Sequence, residues 1–510
     1  MGKVSRRRFL RAGAAAVGAT VVGGDALAQP VGEPAASHPP VDPLPPSLQP
    51  TPTLPVLAET EVLVVGGGPA GLAAALASAR QGADTVILDR YGFFGGVITQ
   101  LQMGSIAWYR FAETIDAGGI HREYELRAKA MGAVHDMTAH PLAFLARPKL
   151  ERMGFMVDGE LTFEILDTEL FKHVADELLL EAGVTPLLHC WAVGVDKQGD
   201  TVTGVIVESK SGRQLIRAQR VVDATGDGDI AWHAGAAFEQ RPIDTLMEVT
   251  TNFSCSGVKL PRFMLHTKGQ KGTMSDWATT SGKEDDMFST HVFEPFERAK
   301  AAGEIPDDVV IRAYPGGFTE HGEVLSINAV HMWKVDPTDV MALTHAEIEG
   351  RRRSVMAMDA LRKYCPGFED ARIRAFGTAV GTRESRKIIG TGTISEHDTK
   401  NQGRCADSIG VCPEFIDGNH QLWLPTTGRY FQVPYGVIVP DKVDGLLAAG
   451  RCIAGDQGSH AATRQMVCCS LTGQAAGTAA ALSLKADVQP RAVDVGLLQS
   501  ALELQGVRLS

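Results

Sequence analysis

The chain has 510 residues, 44% of them hydrophobic and six of them Trp, with a formal charge of −11. That size and composition give a large core divided into domains, and the acidic balance disfavours nucleic acid or an anionic membrane surface as partner. Beyond the first 28 residues no apolar run has the length of a bilayer crossing, so no stable membrane insertion is expected of the mature chain.

The N-terminus reads as an address. Ser5-Arg6-Arg7-Arg8-Phe9-Leu10-Arg11 has the form of a twin-arginine export signal; a mild Ala/Gly/Val stretch (Ala12–Gly24) and an A-x-A cleavage site at Ala26-Leu27-Ala28 follow. Its removal takes away five cations and one acid, leaving the chain more acidic. A periplasmic or secreted destination is expected. Residues 29–58 carry ten of the 26 prolines and are expected to form an extended tether.

Glu61 to Arg90 is the stretch that organises the rest. A buried strand (Val62–Val65) runs into Gly66-Gly67-Gly68-Pro69-Ala70-Gly71, then a small-residue helix, then a strand ending at Asp89-Arg90. Gly66 permits the tight turn, Gly68 a close approach to a pyrophosphate, and Gly71 close helix–strand packing. The helix N-terminus points its N–H groups at the anion, and Pro69 suits the first helical turn. Asp89 is placed to accept from a ribose hydroxyl. Together these describe a dinucleotide site.

Gly92-Phe93-Phe94-Gly95-Gly96 is a second glycine-rich turn; its backbone can approach the cofactor, or it is a loop stiffened by aromatics. Residues 160–186 read as a helix from the spacing of Thr168, Leu170, Val174, Leu178 and Leu179. Strands Trp191–Val195, Val202–Glu208 and Gln214–Ala218 lead to Arg220–Asp223, which opens into Ala224-Thr225-Gly226-Asp227-Gly228-Asp229, a second place to wrap the cofactor.

Residues 236 to 378 change texture, with mixed strands and loops, Trp277, Trp333 and several His. Thr344 to Glu347 has capping-box spacing and predicts a helix running to Tyr364, ended by Pro366-Gly367. The pairs Glu347–Arg351 and Glu349–Arg353 predict a charge-paired, solvated face. The last third returns to the cofactor through Gly381–Lys387, Leu446–Cys452 with Gly450, and the helix Ala461–Leu484. Gly473, Ala476, Gly477 and Ala480 give that helix a face on which another backbone can lie. Its positive N-terminal end is suited to the electron-rich end of a reduced flavin.

GGGPAG at 66–71, DATGDGD at 223–229, AEIEGRR at 346–352, PGFEDA at 366–371, GTRESRK at 381–387, LLAAGRC at 446–452 and GQAAGTAAAL at 473–482 occur in that order. Together they resemble the FAD-dependent oxidoreductases with a glutathione-reductase-type Rossmann fold, akin to fumarate reductase flavoproteins. The resemblance implies an α/β fold: a three-layer ββα FAD-binding domain (59–235 and 379–510) with an inserted α+β substrate domain (236–378). It implies FAD bound by Gly66, Gly67, Gly68, Pro69, Ala70, Gly71, Asp89, Arg90, Gly95, Gly96, Gly226, Asp227, Gly450 and Gly473. Arg451 stands where related flavoproteins often hold the ribityl chain with an acid, and Asp456 is the candidate substitute.

No second strand–GxGxxG–helix unit follows, so electrons are expected from the substrate rather than NAD(P)H. They would pass to oxygen, a quinone or a redox protein. The eight cysteines form no C-x-x-C or C-x4-C, against a redox disulfide or iron–sulfur cluster. One or two structural disulfides are open in an oxidising compartment, with a buried role expected for Cys468 and Cys469. No zinc spacing or Walker motif appears. For the reaction centre, Arg383 and Arg464 are candidates to bind a substrate carboxylate or to pair with acids. His460 is a candidate proton acceptor or a hydrogen-bonding loop residue. The reading is oxidation of a small organic molecule; reduction of an activated C=C bond and a non-redox, lyase-like use of FAD are the alternatives.

Overall fold

The computed structural model describes residues 54–106, 117–135, 156–157, 160–161, 165–267, 275–276, 292–319, 321–418, 421–424 and 429–510. The export signal, most of the proline-rich tether and Trp277 lie outside the described residues.

Strand β1 (Val56–Val65), helix α1 (Pro69–Arg80) and strand β2 (Thr85–Leu88) form the first β–α–β unit. Leu63, Val64 and Ile87 are wholly buried, because a parallel sheet is covered on both faces and its strands read as continuous apolar runs. β3 (Thr185–Leu187), β4 (Trp191–Gln198), β5 (Thr201–Ser209) and β6 (Gly212–Asp223) complete a sheet of order β3-β2-β1-β6-β5-β4. β3, β2, β1 and β6 run parallel, while β5 and β4 return antiparallel as a meander. The parallel pairing places Val65 beside Asp223. Both cofactor turns therefore emerge from neighbouring strand ends, at the carboxyl edge where open α/β sheets bind their ligands.

A second sheet is entirely antiparallel. β7 (Val249–Ser256), β8 (Ile311–Phe318) and β9 (Val324–Met332) are joined, after helix α2 (Val340–Tyr364), by β10 (Arg372–Phe376) in the order β8-β9-β7-β10. Its hydrophobic cluster, Val249 to Ala371 with Phe253, Phe263 and Phe368 at the centre, is distinct from that of the first sheet. The chain then rejoins the first sheet as β11 (Leu446–Ala448), parallel to β6.

Helix α3 (Met466–Lys485) has the length and apolarity of a membrane span, against the sequence expectation, yet it lies inside the core of the first unit. Its packing explains its composition. A Cβ on Gly473 would stand 2.0 Å from the Ala70 carbonyl oxygen, and one on Gly477 would stand 2.0 Å from that of Ala74. The two helices touch backbone to backbone, which only glycine and alanine allow.

Several boundaries differ from the sequence reading. The helix expected over Ala461–Leu484 is two, His460–Thr463 and α3, parted at the extended Gln465. β1 starts at Val56, so the end of the expected tether is already paired with β6. The helix expected over 160–186 spans Leu170–Glu181, following two-residue strands at Glu160–Leu161 and Ile165–Leu166. The pieces expected at Gln214–Ala218 and Arg220–Asp223 are one continuous strand. α2 begins a turn earlier than its capping-box spacing suggests. Asp339 caps it through the Ala342 N–H at 2.7 Å, and Thr344 instead donates to the Val340 carbonyl within the helix. The pairs Glu347–Arg351 (2.9 Å) and Glu349–Arg353 (2.8 Å) form, but not on a fully solvated face: Glu349 and Arg353 are largely buried, and Glu347 also accepts the Val380 N–H at 2.7 Å. All eight cysteines are free thiols; seven, Cys468 and Cys469 among them, are buried.

Candidate active site

The glycines of the first turn divide into two kinds. Gly66 has φ +99°, a region L-residues with a side chain avoid, and a Cβ there would meet the Ala224 carbonyl oxygen at 2.5 Å. A Cβ on Gly71 would lie 1.7 Å from the Gly66 carbonyl oxygen. These two answer to the protein's own packing. Gly68 differs: its φ is −75°, and the nearest atom to an added Cβ is the Gly96 Cα at 3.7 Å. Space rather than protein lies over it. Gly68 caps α1 without any side-chain hydrogen bond and Pro69 opens the helix, so the first-turn N–H groups are left for an anion.

Gly67 donates its N–H to Asp89 Oδ2 at 2.7 Å, and Tyr91 N–H reaches Asp89 Oδ1 at 2.9 Å. Burial raises the Asp89 pKa, opposed by those two N–H donors. The arrangement fixes the carboxylate at the strand end while leaving each oxygen a further lone pair for a ribose hydroxyl. Arg90 lies over the rings of Tyr91 (5.1 Å) and Trp191 (5.4 Å), and Trp191, 56% exposed, offers a flat face at the same end.

A cavity of about 290 Å³ continues from this cradle. Gly66, Gly67, Gly68, Pro69, Ala70, Asp89, Arg90, Gly96, Gly226, Asp227, Gly450, Arg451, Arg383 and Arg464 all line it. Gly71, Gly95 and Gly473 do not; they shape it from behind, Gly95 by donating its N–H to the Gly67 carbonyl (2.8 Å). The lining is bare backbone where a pyrophosphate would lie, with an acid at the adenosine end and the α3 N-terminal residues Gln465 and Met466 on the wall. These features fit a dinucleotide carrying an electron-accepting ring.

The second turn is tied down by charge. Asp223, fully buried, accepts from Thr225 and Ala231 N–H and from the Thr225 hydroxyl. Arg451 donates to the Gly226 carbonyl (2.8 Å), to the Thr382 carbonyl and to Asp227 (2.5 Å). The residue found where an acid was expected is therefore a clasp between three segments. Asp456, the candidate substitute, faces elsewhere: its oxygens accept from Ser459 N–H (2.8 Å) and Glu396 N–H (2.9 Å), and it does not line the cavity. Asp229 pairs with Arg386 at 2.9 Å; burial and the like charges of Asp227 and Asp223 still push its pKa up to about 6.

Of the two roles open to His460, the structure fits the hydrogen-bonding one. His460 is 1% exposed, lies off the cavity, and bonds through Nε2 to the Arg383 carbonyl at 2.9 Å. Burial and the nearby cations hold its pKa far below the ordinary value. A neutral, sealed imidazole of this kind positions the Arg383 backbone and has no path to a substrate proton.

Arg383, like Arg90, differs from Arg451 and Arg464, whose donors are engaged. Its guanidinium lines the cavity, is 12% exposed, and donates no hydrogen bond among the described residues. Its neighbours are Glu248 Oε1 at 3.5 Å and Asp417 Oδ2 at 3.7 Å. Arg464, by contrast, donates to the Asp417 carboxylate (2.9 Å) and carbonyl. Burial alone would raise Glu248; His331 (3.3 Å) and Arg383 outweigh it and hold the acid at about 2. Burial would likewise raise Asp417, but Arg464 and Arg383 keep it below its usual value. Thr250 on β7 and Asn328 on β9 complete this wall, so the second sheet closes the cavity. Sequence reasoning missed Glu248, Asp417, Thr250, Asn328 and Trp191. The usable signal was Glu248, a lone acid among Leu246, Met247 and Val249; Asp417 offered none.

Similar folds occur among solved structures. A geranylgeranyl bacteriochlorophyll reductase-like protein from Thermoplasma acidophilum has 13% identity and TM-score 0.43, over 88% of this chain and 83% of that one. The p-nitrophenol 4-monooxygenase of Pseudomonas putida DLL-E4 has 14% identity and TM-score 0.43, over 87% and 84%. A flavin-dependent brominase has 13% identity and TM-score 0.44, over 88% and 84%. Residues 61–502 match the family described as FAD dependent oxidoreductase. With that match over most of its length, the protein belongs to the FAD dependent oxidoreductase family and is an oxidoreductase whose cofactor is FAD.

Proposed function

We propose that this enzyme oxidises a small organic substrate that carries a carboxylate, with electrons passing on to oxygen, a quinone or a redox protein. The observation that carries the reading is Arg383, a cavity-lining guanidinium whose donors are unclaimed by the described residues. A planar fork of N–H donors in a half-buried wall matches a carboxylate bidentately. Glu248, backed by His331, holds the arginine in place from the side of the second sheet. Leu101, Met103 and Met466 on the lining exclude water from the reacting carbon. FAD, when bound, supplies the two-electron acceptor. Anaerobic mixing of the yellow holoenzyme with a panel of hydroxy- and amino-carboxylates tests the reading. Flavin bleaching without NAD(P)H supports it; a flavin that none of these donors reduces, but that an activated alkene reoxidises after chemical reduction with dithionite, reverses the direction.

We also propose export by the twin-arginine route, supported by Arg6-Arg7 and the A-x-A site that follows. Changing both Arg6 and Arg7 to Lys should leave folded, flavin-loaded precursor in the cytoplasm. Normal appearance of that variant in the periplasm would refute the assignment.

A further inference from the structure

Arg383 does not face the cavity alone. Asp417 lines the same wall, a third exposed, and only its Oδ2 takes part in a contact: 2.9 Å to Arg464 and 3.7 Å to Arg383. Its Oδ1 accepts no hydrogen bond from any described residue. Among the described residues the cavity therefore presents a cation that donates no hydrogen bond beside an anion with an oxygen that accepts none, and the two are too far apart to hydrogen-bond each other. With Glu248 and Arg464 behind them the group sums to zero charge. Both acids stay ionised across the neutral range, held by the cations described above.

We propose that the substrate is an α-amino acid, bound as its zwitterion with the carboxylate on Arg383 and the ammonium on Asp417. This rests on the reading of Arg383 as carboxylate anchor and narrows the substrate it serves. The charges of an α-amino acid sit on adjacent groups, as do those of the wall. A dicarboxylate would bring its second anion against Asp417 and Glu248, a like-charge contact that selects against it. A hydroxy acid would satisfy Arg383 but offer the Asp417 Oδ1 only a neutral hydroxyl donor, Arg464 being already engaged at Oδ2. The reaction balances. The Cα–H leaves with its electron pair to the bound flavin, one N–H proton goes to solvent, and a C=N bond forms. Water then adds to the iminium, giving a 2-oxo acid and ammonium, and the two electrons pass to oxygen or a quinone.

The experiment uses FAD-loaded holoenzyme and two readouts. Amino acids of both configurations and varied side chains are mixed anaerobically with it, in parallel with the matching 2-hydroxy acids and dicarboxylates. The expected result is bleaching by amino acids, with the 2-oxo acid and ammonium formed one for one. Binding is read from the flavin spectrum using 2-methyl analogues of the same acids, which lack the Cα–H and cannot turn over. The amino form should bind about tenfold tighter than the hydroxy form, as a charge-assisted hydrogen bond demands. Asp417→Asn should bring that ratio close to one, and Asp417→Glu should retain part of it if the asparagine variant loses its flavin. Bleaching by hydroxy acids with none by amino acids overturns the proposal and leaves the carboxylate anchor standing. Bleaching by no carboxylate donor at all overturns both.

Discussion

The two walls of the cavity are built on opposite principles. The FAD cradle is backbone: Gly66, Gly68 and Gly96 contribute almost no side chain, and Gly473 and Gly477 let α3 lie directly on α1. The wall completed by the second sheet is side-chain charge, with Arg383, Asp417 and Arg464 brought together from segments far apart in sequence. Bare backbone binds a group every member of a cofactor class shares, the pyrophosphate. Charged side chains at fixed spacing read one substrate and are replaceable one at a time. The first wall fits the cofactor, and the second is the one we propose reads the substrate.

That contrast can be broken at graded strength. The largest effect is expected from Gly473→Val, which forces a side chain into the Ala70 carbonyl. Overpacking of a rigid backbone contact should cost about 3 kcal/mol or more, read as a lower denaturant midpoint and loss of flavin together. Gly68→Val should separate those outcomes, because the protein itself leaves room there. A folded, colourless protein is expected, with its melting temperature matching that of apo wild type; retained FAD would show that Gly68 is not at the pyrophosphate. Arg383→Ala should keep full FAD content and slow flavin reduction by about 10- to 100-fold, the worth of a charge-assisted hydrogen bond. Unchanged stopped-flow traces would move the arginine to a structural role.

The smallest effect is expected at Asp229. Its folded pKa of about 6 lies above the ordinary value of about 3.9. The folded protein therefore binds more protons than the unfolded chain between those values, and the residue weighs increasingly against the fold as pH rises through that window. Asp229 also lines the cavity that would take the two FAD phosphates. FAD affinity should rise a few-fold as pH falls from about 7 to about 5, and Asp229→Asn should flatten that profile in a flavin-release titration.

The cradle was legible in the sequence because its parts are contiguous. Gly66 to Gly71, the strand before and the acid after fall within thirty residues, and backbone needs dictate residue type there. Arg451 was legible as a departure but not as a clasp, since its partners Gly226, Asp227 and Thr382 come from other segments. His460 reads in sequence as a proton acceptor or a hydrogen-bonding residue; only packing shows that it is buried and bonded to the Arg383 carbonyl. Asp417 and Glu248 carry no motif, and nothing local announces that β7 and the segment ending at Asp417 meet at one guanidinium. Sequence alone determined the β–α–β cofactor unit, the dinucleotide site and the small-residue face of α3, because those rest on local backbone geometry. The tertiary structure decided which charged side chains face the cavity, because each is held by neighbours that only the closing of the two sheets brings within reach.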